Sequence, residues 1–156
     1  MSDRIPVPEQ IMRAVNTLLT GVTFTVNNVS QTTTVARPTL TGGFTPAHNL
    51  IILTREDWRD AGDAPMGKVR RILPVTAGIL LKPSKEDSTP IEYHESLAAG
   101  AIEEALVADR TLGGIAEFLE LVTPDSGLSQ DGAFWWHGIN FEVTYSHAHN
   151  DPFTPA

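Results

Sequence analysis

The histidines and carboxylates are the residues of this chain whose types could support chemistry, and one group of them is closely spaced. His147 and His149 stand two positions apart, and Asp151 follows two positions later. Side chains at this spacing face the same side of a β-strand, and imidazole and carboxylate groups bind divalent metals. A third firm ligand is not evident, however, and the segment has the composition of a fraying terminus. The sequence therefore predicts no metal site here.

The remaining titratable residues form no recognised catalytic constellation. His137 falls on the apolar face of a predicted strand, as expected of a half-buried structural histidine, whereas His48 and His94 have no recognisable partners. The adjacent Glu103 and Glu104 point about 100° apart on a helix, so they do not share a site. No G-x-S-x-G elbow, Walker loop or H-E-x-x-H motif occurs. We therefore predict that the chain is not an enzyme and has neither catalytic nor cofactor-binding residues.

Length and composition limit the class of protein. With 156 residues and no cysteine, the chain is expected to form one domain over residues 1–156, without disulfides or thiolate chemistry. No run of about 18 apolar residues is present, so we predict no membrane-spanning helix. The first residues lack the basic and apolar regions of a signal peptide, so the expected compartment is a cytoplasm or a particle assembled there.

The charge of the chain is asymmetric. The net charge is −8, but residues 1–85 carry 10 basic and 6 acidic side chains, which gives +4, and residues 86–156 carry 1 basic and 13 acidic side chains, which gives −12. Solubility alone accounts for an acidic surface. The alternative is a subunit with two faces of opposite sign, suited to head-to-tail association or to lining a channel. A basic patch that binds nucleic acid is not expected.

Two segments have the periodicity of amphipathic helices. The first is expected to start at Pro8 and to end at Gly21, and the second to span residues 95–114, with Ser96 as its cap and two glycines at its end. The apolar stripes are Ile11, Ala14, Val15, Leu18 and Leu19 in the first helix, and Ala98, Ala101, Ile102, Ala105 and Leu106 in the second. Because the second stripe is mostly alanine, we expect this helix to lie close against a sheet.

Other regular patterns predict β-strands. Residues 22–40 are rich in threonine and valine and are expected to form a β-hairpin or a pair of extended arms, with a turn at Asn27-Asn28 or at Ser30-Gln31. Further strands are predicted at residues 48–54, 73–81, 115–121 and 133–145.

The connections complete the predicted architecture. Pro74 indicates that its strand lies at an edge or begins there, because proline has no N–H to donate. Residues 55–71 form a charged connection that is too long for a tight turn, and residues 124–127 form a turn region. Residues 1–7 and 147–156 are predicted to be loose termini. The fold class that follows is α+β, with two helices packed on one face of a mainly antiparallel β-sheet and an extra β-hairpin or extended arm.

The aromatic residues near position 135 divide between the two faces of the last predicted strand. Trp135 belongs to the core face, whereas Phe134 and Trp136 face the other side. On a two-layer fold that side is open to solvent, and exposed aromatic residues there indicate a contact with another chain. The alternative is that residues 22–46 fold over that face within the same subunit, and both interpretations stay open.

Several segments together resemble a known family. A strand ends in LTRE and precedes a charged loop, a second strand begins R-x-L-x-V at Arg71, and a helix closes as ALVADRTLGG at residues 105–114. The last strand carries FEVTY at residues 141–145, followed by the Asp151-Pro152 pair. In this order and at this spacing, residues 8–21 and 48–152 resemble the tail terminator, or tail completion, proteins of long-tailed phages. Residues 22–46 and the final FTPA depart from that pattern.

The resemblance implies a structural virion protein without catalytic activity. Such proteins form a homo-oligomer, a hexameric ring, at the head-proximal end of the tail tube, where they stop tube polymerisation and present a surface to the neck. The implied partners are the major tail tube protein and a neck or head-completion connector protein, and DNA passes through the lumen without specific binding. The implied location is the tail–neck junction of a virion, assembled in the bacterial host cytoplasm. The alternative is another neck component, a head–tail connector or stopper protein.

The charged connection at residues 55–71 is the candidate assembly element. It mixes basic and acidic side chains, which can form ion pairs across a subunit boundary, and it contains apolar residues of the kind enriched at interfaces. The alternative is that this connection is simply a solvated hairpin tip. The predicted interface residues are Arg55, Trp58, Arg59, Met66, Lys68, Arg70 and Arg71 from this connection, together with Phe134 and Trp136.

Overall fold

The computed structural model of the protein describes residues 4–39, 42–84, 86–122 and 128–156. It contains two α-helices, α1 (Val7–Leu19) and α2 (Ile91–Ala108), and a short 3-10 turn at Leu112–Gly114. The strands are β1 (Thr23–Val26), β2 (Val29–Thr32), β3 (Thr34–Ala36), β4 (Leu50–Arg55), β5 (Arg59–Asp60), β6 (Lys68–Leu81), β7 (Phe118–Val122), β8 (Ser129–Asp131), β9 (Phe134–Ala148) and β10 (Asp151–Pro155).

The strands form one large sheet and one hairpin. The large sheet has the order β10-β9-β6-β4-β3, with β5 beside β6 and with β7 and β8 beside β9. All of its neighbours are antiparallel except β3 and β4, which are parallel. Its centre is the pairing of β6 with β9, which runs from Lys68 opposite Ala148 to Leu81 opposite Trp135. The predicted α+β class with a mainly antiparallel sheet is confirmed.

The main core lies between one face of this sheet and the two helices. Strand residues that alternate along β6 and β9 point into it, as the sequence pattern predicts, and Tyr145 and Phe141 are its largest buried side chains. The helices contribute Val7, Ile11, Met12, Val15 and Leu19 from α1, and Ala98, Ala99, Ile102 and Leu106 from α2. Ala98 and Ala99 are buried in this core, and Ala101 and Ala105 are partly buried against it.

The hairpin alternative for the segment after α1 is confirmed. Strands β1 and β2 pair in register around Asn27 and Asn28, whose φ angles of 48° and 65° suit a two-residue hairpin turn. Phe24 and Val26 of β1 join the main core. The remaining part of the segment forms β3 in the large sheet, and the predicted end at Leu40 lies outside the described residues, as does the predicted turn at 124–127.

The predicted bounds of α2 are wrong at both ends. The helix begins at Ile91, directly after Pro90, and Ser96 lies inside it without capping a backbone group. The four additional helical residues include His94, which is buried. The helix ends at Ala108, since the carboxylate of Asp109 accepts the N–H of Gly113 at 2.9 Å and turns the chain. The start predicted for α1 at Pro8 is one residue late, because Val7 is helical and fully buried.

The prediction of loose termini is wrong for most of the residues concerned. β9 continues to Ala148, so His147 is buried rather than frayed, and β10 pairs with the end of β9. The side chain of Gln10 in α1 donates to the carbonyl of Phe153 at 2.6 Å. Arg4 forms an ion pair with Asp151 at 2.9 Å, so the start of the described chain is tied to β10. Residues 1–3 of the predicted arm lie outside the described residues.

The connection predicted at residues 55–71 is shorter and more ordered than expected. Arg55 belongs to β4 and β6 begins at Lys68, and inside the connection β5 pairs with β6. The N–H of Ala61 donates to the carbonyl of Arg70 at 3.0 Å. The connection therefore folds back along β6.

Pro74 lies inside β6, so the prediction of an edge strand or a strand start is wrong. Its carbonyl accepts the N–H of Glu56 at 3.0 Å, just beyond the last residue of β4. In an antiparallel strand the N–H and C=O of one residue point the same way. The missing N–H of Pro74 therefore faces the gap between the end of β4 and the start of β5, where no ladder donor is needed.

Substitution of Gly78 tests how the outer face is packed. A Cβ atom at Gly78 would overlap the indole ring of Trp136, whereas one at its cross-strand partner Gly138 meets Thr76 and Trp136 no closer than 3.7 Å. We expect Gly78→Ala to displace the indole and to lower the free energy of unfolding by about 1–3 kcal/mol, measured by urea denaturation. Gly138→Ala is the matched control and should be neutral or slightly stabilising. An unshifted Trp136 indole resonance in the first variant would contradict this packing.

Candidate functional site

The predicted interface residues of the charged connection lie at one end of the β6–β9 ribbon. Trp58 is 43% exposed, and the guanidinium of Arg71 lies 3.4 Å from the centroid of its indole ring. Arg71 stands opposite Tyr145 of β9. A cation over an aromatic face is favourable, so this stacking holds Trp58 in a defined position at the surface.

Two of the other basic residues have partners within the same chain. Arg59 forms an ion pair with Glu142 of β9, and the Nε of Arg70 lies 3.0 Å from the carboxylate of Glu117. Arg70 also donates from Nη1 to the carbonyl of Asp63 at 2.6 Å. These contacts hold the connection in shape. The interface role of Arg59 and Arg70 stays a prediction. The carboxylates of Glu142 and Glu117 in the same subunit compete with any acidic partner across a subunit boundary.

Three predicted residues are left at the surface. Met66 is fully exposed at the turn before β6, and Lys68 is exposed beside it. The guanidinium of Arg55 donates to the neighbouring carbonyl of Glu56 at 3.4 Å. Within the described parts of the chain the Lys68 side chain makes neither an ion pair nor a hydrogen bond. This end of the ribbon therefore presents a thioether and an ammonium group to solvent.

The other two predicted residues, Phe134 and Trp136, lie at the opposite end of the ribbon on the face away from the helices. They pack against a small apolar cluster of Leu50, Ile52 and Leu80. Both aromatic residues line an open groove with a volume of about 510 Å³, and the other lining residues are Phe44, Pro46, Ile52, Leu80, Ser129 and Asp131. Sequence reasoning missed Phe44 and Asp131, because neither lies in a periodic segment.

The groove bears on whether this face contacts another chain or is covered by residues 22–46 of the same subunit. Phe44 and Pro46 come from the connection between β3 and β4, so part of residues 22–46 does reach the face. The cover is incomplete, since Phe44 itself remains 38% exposed and the indole of Trp136 is only half-buried. The groove is therefore partly closed within the subunit and still accessible from outside.

A polar cluster that the sequence did not reveal lies beside the start of α2. The Nε2 of the buried His94 is 2.8 Å from the carboxylate of Asp87, and the ring of His48 meets that of His94 edge to face at 6.0 Å. His48 accepts the backbone N–H of Lys82 on Nδ1 at 2.8 Å and contacts Gln31 through Nε2 at 3.3 Å. The expectation that His48 and His94 lack partners is wrong, because their partners come from segments that are distant in sequence.

The electrostatics of this cluster favour neutral His48 beside ionised Asp87. Hydrogen bonds from the hydroxyl and N–H of Thr89, and then from His94, lower the pKa of Asp87 to about 2. Burial, and then the neighbouring His94, lower the pKa of His48 below 6.5. The cluster borders a cavity of about 390 Å³ and ties the connection before α2 to the end of β6 and to the hairpin. Its evident effect is to close this end of the core.

The candidate metal ligands near the last strand are not brought together. His147 points into the core, where Nδ1 lies 2.7 Å from the carbonyl of Ala148. His149 follows the end of β9 and is exposed, and Asp151 is engaged by Arg4. Among the residues that the structure describes, no group of three or more histidine or acidic side chains is arranged to hold a metal ion.

Comparison with known proteins identifies no family for this chain. No protein-family model matches the chain, and a comparison with curated proteins finds no match. Within the described ranges, neither helix combines the length and apolar character required to cross a membrane. A function is therefore inferred from the surfaces at the two ends of the ribbon.

The half-buried His48 predicts a pH dependence of stability. Its pKa is lower in the folded chain than the 6.5 of a free histidine, so the unfolded state takes up a proton that the folded state excludes. Stability is therefore lost as the pH falls through about 6.5. In His48→Asn an amide oxygen can replace Nδ1 as acceptor, and we expect a smaller loss of unfolding free energy between neutral pH and pH of about 5. Urea denaturation at both pH values measures it. The exposed His149→Asn is the control, and equal losses in both variants would contradict the assignment.

Proposed function

We propose that this chain is a structural virion protein that caps the head-proximal end of a phage tail tube, ends tube polymerisation and provides a surface for neck and head joining. The family resemblance of residues 8–21 and 48–152 suggests the role. The structural observation that supports it most is a rigid β6–β9 ribbon with an ordered, partly exposed loop at one end and an aromatic groove at the other. In this proposal the chain has no catalytic activity and no cofactor.

The proposed assembly is a homo-oligomeric ring, with six subunits as the resemblance implies. Two different surfaces on one subunit favour head-to-tail contacts, which generate rings when they close. The residues of the first surface are Arg55, Trp58, Arg59, Met66, Lys68, Arg70 and Arg71, and those of the second are Phe134 and Trp136. The contacts inside the connection support an assembly role, because a loop that is already ordered loses less entropy on binding.

The proposed partners at the ring faces are the major tail tube protein and a neck connector protein. DNA passes through the lumen, and an acidic or neutral wall keeps phosphate groups from binding. The exposed side of α2 carries Glu92, Glu103 and Glu104 and is a candidate for that wall. The proposed location is therefore the tail–neck junction of a virion.

A loop variant tests the proposal in the phage or prophage that carries the gene. Trp58→Ala with Met66→Ser removes both exposed apolar anchors, and because both are at the surface we expect a loss of stability of only about 1 kcal/mol. Electron microscopy should show tails of abnormal length, or tails that fail to join heads. The exposed Tyr93→Ala on α2 is the control and should give normal tails. Normal tails and full infectivity from the loop variant, or the absence of tail genes beside the gene, would argue against the proposal.

A further inference from the structure

The turn before β6 is an exposed but firmly held projection, which we call the Met66 knob and define as residues 65–68. The N–H of Lys68 closes the turn by donating to the carbonyl of Pro65 at 3.0 Å. The carbonyl of Gly67 accepts the N–H of His149 at 2.9 Å, which anchors the turn to the chain after β9. The knob therefore presents the Met66 thioether and the Lys68 ammonium from a backbone that is fixed on both sides.

The groove at the other end of the ribbon has the complementary chemistry. Three aromatic side chains, Phe44, Phe134 and Trp136, line it, and so does the exposed Asp131. Thioethers and cations both bind favourably to aromatic rings, and the Nζ of Lys82 already lies 5.3 Å from the centroid of Phe134. Asp131 is exposed and forms no ion pair within the described ranges. The groove thus offers apolar aromatic walls for a methionine and a carboxylate for an ammonium.

The knob and the groove of one subunit cannot meet each other. Lys68 is the first residue of β6, whereas Leu80, which borders the groove, is the last but one. β6 is 14 residues long, and at about 3.3 Å per residue its ends are roughly 43 Å apart. A contact between the two surfaces therefore joins different copies, and it is of the head-to-tail kind that closes into rings or extends into filaments.

We propose that the Met66 knob of one copy of this chain occupies the aromatic groove of the next copy. The Met66 side chain lies against Phe44 and Trp136 of the neighbour, and Lys68 pairs with the neighbour's Asp131. The inference rests on the proposed ring and specifies which two surfaces form its contact. It concerns self-association alone, so it is testable without a tail.

Disulfide trapping tests this contact, because the chain contains no cysteine of its own. In Met66→Cys combined with Phe44→Cys, mild oxidation should give a ladder of covalent oligomers on a denaturing gel. Met66→Cys combined with Ser96→Cys, an exposed position on α2, is the matched control and should give no ladder. Equal crosslinking in both, or none at the highest attainable concentration, overturns the inference.

Mixing variants tests the direction of the contact. Met66→Asp blocks the knob and Phe44→Asp blocks the groove, and each change lies on an exposed side chain outside helices and strands. In sedimentation velocity each variant should associate at least about tenfold more weakly than the unaltered chain, and a mixture should form pairs but nothing larger. Lys68→Glu with Asp131→Lys in one chain should restore association that either change alone weakens. No recovery in the mixture and none in the double reversal overturns the inference.

The outcomes separate this contact from the capping role. If copies form rings but the paired cysteines do not crosslink, the contact is wrong and the capping role stands. If the crosslinks form while loss of the gene leaves tail length and head joining normal, the contact stands and the capping role is wrong.

Discussion

The antiparallel pairing of β6 and β9 is the interaction on which the rest of the structure depends. Every other strand of the large sheet except β3 is hydrogen-bonded directly to one of these two strands. Because successive side chains alternate between faces, a single register assigns every residue of the ribbon to the core or to the outer face. A slip by one residue would move Tyr145 out of the core and bring Trp136 into it. The buried side chains therefore define the outer surface as well as the interior.

The same register places the side chains of the core on one face of the ribbon and the exposed side chains on the other. On one face the two helices and the hairpin close over the core. On the other face, the close approach of Trp136 to Gly78 keeps the indole flat against the sheet, and Arg59 is held by Glu142 at the far end. A long paired ribbon is stiff, so the two ends keep a constant separation and orientation. A subunit that contacts its neighbours through both ends needs that constancy.

Patterns among neighbouring residues predict the helices and strands of this fold. Alternation along residues 133–145 and the apolar stripes of α1 and α2 involve only near neighbours, and these elements are confirmed, although the bounds of α2 shift by several residues. Contacts between distant positions leave no such signal. Arg59 meets Glu142 across 83 positions, and His48 meets His94 across 46, so neither pairing is visible in the sequence. For the same reason, alternation along a strand predicts Phe134 and Trp136 of the groove but not Phe44 and Asp131.

The central place of β9 also has a consequence for the order of events during synthesis. β9 leaves the ribosome after both helices and after every strand except β10, and until then β6 has no partner along one whole side. Pairing across so many positions closes a large loop, which makes folding slow relative to helix formation. The anchor of Gly67 on His149 and the indole of Trp136 both arrive with this late segment. A nascent chain therefore displays neither surface in its final form until β9 has been synthesised.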